Sequence, residues 1–330
     1  MSTDIKALVA RQEDDQFSVA FENLDASQLG EGDVSVELEY STLNFKDGLA
    51  ISNRSPIVQK TPLILGIDYA GTVIQSDNSR FAVGDRVVLN GYGASEYRNG
   101  GYATRARTPA ELLVKIPDTL STRQAMAIGT AGYTAMLCVL ALEDGQVHPD
   151  SGEVLVTGAA GGVGTVAISL LAGLGYQVVA STGRPAESEF LRELGAADIV
   201  DRATLSERGK PLARERWAGV VDSVGSHTLA NALAQTRYGG TVAACGLAQG
   251  ADLPATVMPF ILRNVRLQGV DSVQAPLARR ELAWQRLGSD LDIAKLEALS
   301  FDLPFEEVPA AAEKILAGEI RGRAVVDLRA

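Results

Sequence analysis

Histidine and cysteine are nearly missing from this chain. Its 330 residues include 2 His and 2 Cys: His148, His227, Cys138 and Cys245. So few cysteines cannot make a disulfide framework, and nothing else points to an oxidising compartment. A metal site built from several His and Cys ligands is nearly excluded by counting. An excess of positive charge is missing as well, since 30 Lys and Arg against 41 Asp and Glu leave a net charge of −11. General nucleic-acid binding needs a basic footprint, so that class is disfavoured. The N-terminus MSTDIKALVARQEDD is charged throughout and lacks the apolar core of a signal peptide. Two long stretches, 124–142 and 154–183, carry no charge. The second is broken by seven glycines, among them Gly158, Gly161, Gly164 and Gly173, and reads as a buried strand–helix–strand unit. The first fits a buried helix and the turn before it. A soluble, cytoplasmic protein without a membrane span is expected.

What is present suits a folded enzyme. The chain is 46% apolar and 22% charged, and at roughly 150 residues per domain its length suggests about two domains. Residues 1–120 read as mostly β, with alternating segments at 5–10, 17–24, 33–43, 69–75, 85–90 and 102–107. Turn residues separate them as in a small barrel or sandwich, with a short helix at 44–51 and a loop at 56–60. Residues 121–270 change character. Strand-like runs at 154–157, 177–181, 198–200, 220–224, 241–245 and 265–270 alternate with amphipathic helices, one of them 186–194 between Pro185 and Gly195. That alternation implies an α/β, doubly wound parallel sheet. The tail carries helices at 278–291 and 306–318 and a late strand at 321–328. Pairing that strand with the N-terminal β domain makes the first domain discontinuous: 1–122 with 276–330, around a nucleotide domain at 123–275.

The run VLVTGAAGGVGTVAISLL sets a glycine-rich turn between a buried strand and a helix. The dinucleotide template G-x-G-x-x-G calls for Gly at 159, 161 and 164; Gly161 and Gly164 fit, and 159 is Ala. Gly161 lets the backbone approach a pyrophosphate, Gly164 lets the helix pack on the strand, and the helix N-terminus favours the anion. The plainer reading is a tight strand–helix turn, which the six-strand pattern around it disfavours. About 20 residues on, NAD enzymes place an acid for the ribose 2′-hydroxyl. Here stand Ser181, Thr182, Gly183 and Arg184, with no acid before Glu187. Hydroxyls and an Arg suit a 2′-phosphate, so NADPH is the expected cofactor, the alternative being a solvated surface arginine.

Together these features resemble the medium-chain dehydrogenase/reductase superfamily. The segment Gly66-Ile67-Asp68-Tyr69-Ala70-Gly71 has the spacing of the zinc alcohol dehydrogenase signature G-H-E-x-x-G, with Ile67 in place of His and Asp68 in place of Glu. No Cys precedes Cys138. The chain therefore resembles the zinc-free, quinone-oxidoreductase-like branch, and no metal is expected. Within it, LNFKDGLA (43–50), GIDYAGTV (66–73), GTAGYTAMLCVLALED (129–144), GAAGGVG (158–164), YGGTVAACGLA (238–248) and MPFILRNVRLQGVDS (258–272) resemble the NADPH-dependent acrylyl-CoA reductase family.

The resemblance implies a GroES-like β-barrel catalytic domain beside a Rossmann cofactor domain. It also implies 1,4-reduction of acryloyl-CoA to propanoyl-CoA, hydride going to the β-carbon. It places NADP at Phe45 (an aromatic slot usually Tyr), Ala160, Gly161, Gly162 and Val163 at the pyrophosphate, and Thr182, Gly183, Arg184 and Arg202 at the adenosine phosphate. Leu247, Ile261, Ser272 and Arg323 would complete the site, although the plainer reading of each apolar one is an ordinary core residue. Asn44, Lys46, Asp47 and Asp68 are the candidates for polar help to the reaction; alternatively Asn44 only caps a helix, and Lys46 and Asp47 are a solvated pair. No general acid stands out. Tyr92 and Tyr97 are candidates for the acyl pocket, and Arg54, Lys60, Arg98 and Arg263 for the CoA phosphates. Partners are a small acyl-CoA and a second copy, paired through an apolar edge strand within MPFILRNVRLQGVDSV; nucleic acid and membrane are not expected. Rival readings are an NADPH:quinone oxidoreductase and a non-catalytic NADPH-binding protein.

Overall fold

The computed structural model describes residues 4–14 and 16–329. The chain divides into two compact units. One comprises Met1–Thr130, Ser272–Gly288 and Leu296–Ala330, the other Ala131–Asp271 and Ser289–Lys295.

In the first unit, β1 (Ile5–Glu13) and β2 (Gln16–Leu24) form an antiparallel hairpin. β3 (Val34–Thr42) buries Val34, Val36, Leu38 and Tyr40 on one face, the period-2 pattern of a half-buried strand. It runs into α1 (Phe45–Ile51), and β4 (Leu63–Ile64) pairs with β1. β5 (Asp68–Ser76) lies antiparallel to β3, with register shifts at Ser35/Val36 and Leu38/Tyr40. Gly71 permits that close pairing, because a Cβ there would fall 2.1 Å from the Glu37 carbonyl oxygen. β6 (Arg86–Asn90), β7 (Arg105–Thr108) and β8 (Val114–Lys115) complete the N-terminal strands. The helix α2 (Thr122–Asp144) follows, broken at Gly129 (φ 51°, ψ −165°). It is long and apolar enough to cross a membrane by composition, yet 89% of its apolar stretch is buried within the protein.

The second unit is the expected parallel sheet. Its elements run β9 (Glu153–Val156), α3 (Gly162–Gly173), β10 (Gln177–Thr182), α4 (Ser188–Leu194), β11 (Asp198–Asp201), α5 (Ala203–Ser206), β12 (Trp217–Asp222), α6 (Ser226–Gln235), β13 (Thr236–Ala244), α7 (Met258–Arg263) and β14 (Arg266–Gly269). The strand order is β11-β10-β9-β12-β13-β14, all parallel. The order reverses between β9 and β12, where ligands bind in open α/β sheets. One expectation is corrected here. MPFILR is not part of an edge strand but forms α7, with Pro259 in its first turn and Asn264 as a left-handed C-cap. The edge strand is only Arg266–Gly269, polar and largely exposed.

The chain then returns through α8 (Leu277–Asp290), α9 (Ile293–Leu299), β15 (Ser300–Pro304), α10 (Val308–Leu316) and β16 (Arg323–Asp327). The late strand does rejoin the first unit, pairing antiparallel with β3 from Val325↔Thr42 to Asp327↔Tyr40. The sequence reading contained neither α9 nor β15. Strand β15 (SFDLP) is short and exposed on most positions; it pairs with β16, and Asp302 accepts Arg123 Nε at 2.9 Å.

Candidate active site

In the first unit, β3 ends beside α1 and β5 begins beside the break in α2, which brings Asn44, Asp47, Asp68 and Arg323 together. Asn44 is the N-cap of α1, and its backbone N–H donates to Asp47 Oδ2 at 2.8 Å. Its amide nitrogen donates to Asp47 Oδ2 at 3.1 Å and to Asp68 Oδ2 at 3.0 Å. A guanidinium only donates, and Arg323 Nη2 lies 3.5 Å from Asn44 Oδ1, which fixes the amide's orientation and turns both of its hydrogens to the two carboxyl groups. Asn44 therefore caps its helix and also spaces two carboxylates. Asp47 Oδ1 accepts the Ile67 N–H at 3.0 Å.

Asp68 is saturated. Its oxygens accept Asn44 Nδ2, Asn90 Nδ2 at 2.9 Å, the Thr130 N–H at 2.8 Å and the Thr130 hydroxyl. The helix break supplies two of these donors. Gly129 takes a positive φ, and a Cβ there would sit 2.8 Å from Arg323 Nη2 and 3.2 Å from Asp68 Oδ2. Arg323 donates to the Ala127 carbonyl at 3.0 Å and to Thr42 Oγ1 at 3.2 Å. Asp47 and Asp68 are 0% exposed and Arg323 4%, so two acids and one guanidinium share a dry site. Burial, and then the Asp68 charge, push the Asp47 carboxyl up to about 7. Burial pulls Arg323 below the ordinary arginine value, against the opposing pull of the two carboxylates. Burial also holds the Tyr102 hydroxyl well above its usual range; it donates to the Thr42 carbonyl at 3.0 Å.

Two sequence readings are corrected. Asp47 is no member of a solvated pair: it is buried, and Lys46 instead pairs with Glu96 outside the cluster. Arg263 is no free cation for CoA, since it donates to the carbonyls of Ala213 and Ala234 at 2.6 and 2.8 Å and pairs with Glu215. Arg54 is engaged by Glu313. Tyr92, at φ 50°, gives its hydroxyl to the Ala275 carbonyl at 3.0 Å and lies under the Arg280 guanidinium at 3.7 Å. Gln274 donates to the Tyr97 hydroxyl at 3.3 Å. Ser272 is half-buried and accepts Arg280 through its carbonyl at 2.9 Å.

Zinc does not fit these residues. Ile67 is apolar and buried, Asp68 has no lone pair to spare, and among the described residues no three His, Cys, Asp or Glu cluster.

In the second unit, Gly161 is the N-cap of the 12-residue α3. The N–H groups of Gly162, Val163 and Gly164 have no partner inside the helix, while Thr165 N–H closes on the Gly161 carbonyl at 3.0 Å. Gly164 permits the close packing expected of it, because a Cβ would fall 2.5 Å from the Gly158 oxygen. The positive φ of the turn belongs to Gly158 (59°), one place ahead of the template. Ala159, fully buried, therefore replaces the first glycine without strain. Ala160 and Val163 are half-buried beside this open helix end.

At the end of β10, the Thr182 hydroxyl accepts Arg184 N–H at 3.1 Å and its carbonyl accepts Arg202 N–H at 3.1 Å. Both arginines thus start from one point. Arg202 lies across Gly183, where a Cβ would be 2.4 Å from its Nε. The Ser181 hydroxyl is buried there without a partner among the described residues. An open helix N-terminus, two cations at the neighbouring strand end and an orphan hydroxyl fit a phosphorylated dinucleotide. Leu247, Ile261 and Phe45 are not core residues: they are 65%, 72% and 56% exposed. Sequence reasoning missed Gly129, Thr130 and Asn90; their contacts to Asp68 span 62 and 22 residues.

The folded carboxyl of Asp47 binds its proton more tightly than an unfolded aspartate does, at about 7 against about 4. Its contribution to stability is full below pH ~4 and is lost as pH rises through about 7. The thermal midpoint is expected to fall between pH 4 and 7 more steeply in the parent protein than in Asp47→Asn, read by calorimetry. Equal slopes would remove Asp47 as the cause.

Comparison with known proteins follows the same lines. Residues 30–118 match the alcohol dehydrogenase GroES-like domain, and residues 162–287 the zinc-binding dehydrogenase family. The chain is 50% identical to the probable acrylyl-CoA reductase AcuI of Escherichia coli, over 98% of this chain and 99% of that one. It is 50% identical to the acrylyl-CoA reductase AcuI of Ruegeria pomeroyi, over 97% of each. It is 43% identical to the putative quinone oxidoreductase YhfP of Bacillus subtilis, over 99% of this chain and 100% of that one. Among solved structures it superposes on Escherichia coli YhdH with bound NADPH at a TM-score of 0.93 and 50% identity, covering 98% and 99% of the two chains. It superposes on Bacillus subtilis yhfP with NAD bound at 0.94 and 43% identity, covering 99% and 100%.

Proposed function

Because the chain belongs to the medium-chain dehydrogenase/reductase family, in its zinc-free, quinone-oxidoreductase-like branch, we propose that it reduces acryloyl-CoA to propanoyl-CoA with NADPH. The observation that carries this reading is identity of 50% over almost the whole of two acrylyl-CoA reductases. Bound NADPH supplies the hydride that adds to the β-carbon, and a proton at the α-carbon completes the product.

The chain's own residues bind and orient. Ala160, Gly161, Gly162 and Val163 form the turn for the pyrophosphate, with the N–H groups of Gly162 and Val163 unpaired inside α3, while Thr182, Gly183, Arg184 and Arg202 frame the 2′-phosphate. Leu247 and Ile261, exposed on the second unit, and Phe45 offer apolar surface to the cofactor. Ser272 and Arg323 stay assigned to it through the resemblance alone, Arg323 being also the counter-ion of Asp47 and Asp68. In the cluster, Asn44 and Asp68 form a fixed frame, since their donors and acceptors are filled. Asp47 holds the cluster's proton but is fully buried, and Lys46 is occupied by Glu96. The proton at the α-carbon comes from an acid or from water.

A quinone acceptor is the second reading, favoured by the 43% identity to the putative quinone oxidoreductase. We place the enzyme in the cytoplasm as a homodimer paired through the open sheet edge at β14, beside the exposed Val257, Ile261 and Leu262. Sedimentation is expected to show twice 34.8 kDa; a lone monomer at micromolar concentration would contradict it.

Steady-state NADPH oxidation against acryloyl-CoA, crotonyl-CoA, free acrylate and a benzoquinone tests the acceptor. Acryloyl-CoA is expected to exceed acrylate in kcat/KM by about a thousandfold, because the CoA handle supplies remote binding energy and the thioester is the better electrophile. Turnover of quinone but not acryloyl-CoA would establish the second reading. For the cofactor, Arg184→Ala is expected to weaken NADPH binding by about 1–3 kcal/mol, the range for a hydrogen bond to a charged group, and to leave NADH nearly unchanged. Equal losses for both would show that Arg184 does not read the 2′-phosphate.

A further inference from the structure

The second unit holds a buried carboxylate that neither the reaction nor the resemblance uses. Asp222, the last residue of β12, is 0% exposed. Its partners are neutral donors: Oδ1 accepts the Thr157 hydroxyl at 2.6 Å and Oδ2 accepts Gly225 N–H at 2.9 Å. Thr157 Oγ1 in turn accepts Ser223 N–H at 3.2 Å, and the Ser223 hydroxyl donates to the Thr157 carbonyl at 3.2 Å. The Asp222 carbonyl accepts both the N–H and the thiol of Cys245, at 2.8 and 3.3 Å. One residue therefore touches the chain where it leaves β9, β12 and β13.

Those exits lead into segments assigned to the cofactor under the proposed function. Thr157 is followed directly by the turn at Gly158, and a Cβ on Gly158 would lie 2.3 Å from Ser223 Oγ, so the turn is seated on the strap that Asp222 holds. Cys245 lies two places before Leu247, whose loop is tied down by Gln249 N–H on the Val224 carbonyl at 2.8 Å. A buried charge is costly where an apolar residue would fill the space. Its presence is explained if the donors around it must be held in one arrangement.

We propose that Asp222 is a positioning residue for the cofactor's pyrophosphate: it staples Thr157 to Gly225 and so fixes the Gly158–Gly161 turn that aims the α3 N–H groups. The proposal rests on Ala160–Val163 being the pyrophosphate cradle.

The test titrates the full-length protein with NADP+, with 2′-phospho-ADP-ribose and with adenosine 2′-monophosphate, which lacks the pyrophosphate. Asp222→Ala is expected to weaken the first two at least tenfold and the third less than twofold. Asp222→Asn keeps an oxygen for Gly225 and an amide for Thr157, and is expected to lose less than Asp222→Ala. Thr157→Val retains the branched shape and removes only the hydroxyl; it is expected to match the Asp222→Ala pattern and provides the answer if that variant does not fold. Equal weakening of all three ligands, or of none, would overturn the staple. If the parent protein binds adenosine 2′-monophosphate as tightly as NADP+, the cradle reading itself fails, and the proposal falls with it before any variant is compared.

Discussion

The first unit depends on one interruption in a helix. At Gly129 the path of α2 leaves helical geometry for a single residue, and backbone groups that a continuous helix would pair internally become free. The Thr130 N–H turns to Asp68 and the Ala127 carbonyl to Arg323. Side-chain donors alone would have to bring their own conformational freedom to order; a broken helix supplies donors and acceptors that are already rigid. A side chain at 129 would collide with Arg323 and Thr42 at once, so the break and the charge cluster are one feature.

The cluster itself is a compromise in electrostatics. Two carboxylates and a guanidinium lie out of water, and each would be costly alone; removing one member of such a pair typically costs about 3–5 kcal/mol. Here the excess acid is handled by protonation. Asp47 keeps its proton to about 7 while Asp68 is served by four donors. In the loop that resembles the zinc signature, Ile67 is buried apolar packing. The carboxylate next in sequence, Asp68, is held by Asn44, Asn90 and Thr130.

The second unit solves a related problem with a different device. Its glycine-rich turn has no large side chains to hold it, since Gly158, Gly161 and Gly162 contribute only backbone. Rigidity has to come from behind, from Asp222 and Thr157 beneath the turn. At the neighbouring strand end the same economy recurs: Thr182 anchors the backbone of both Arg184 and Arg202, which sets where the two side chains start.

Much of this was written locally in the sequence. Buried parallel strands announce themselves as short apolar runs such as VLV and VVA, and glycines at 161 and 164 mark where a helix must approach a strand closely. The substitution of Ile67 for a ligand is legible from a single position, and the late strand at Arg323–Asp327 had to pair with something left open earlier. The strand-like run at 265–270 was legible, but nothing marked MPFILR as a helix before it, because its apolar residues and Pro259 suit either state until Asn264 caps the helix. Periodicity also gave no sign of the Asp68 shell or the Asp222 staple. Those contacts join residues 62 and 65 apart, and they depend on burial, on a kink and on which donors remain unpaired after folding. Local pattern determined which segments become strands and helices. Only the tertiary structure decided which charged groups lost water together, because desolvation belongs to a place in the fold and not to a residue type.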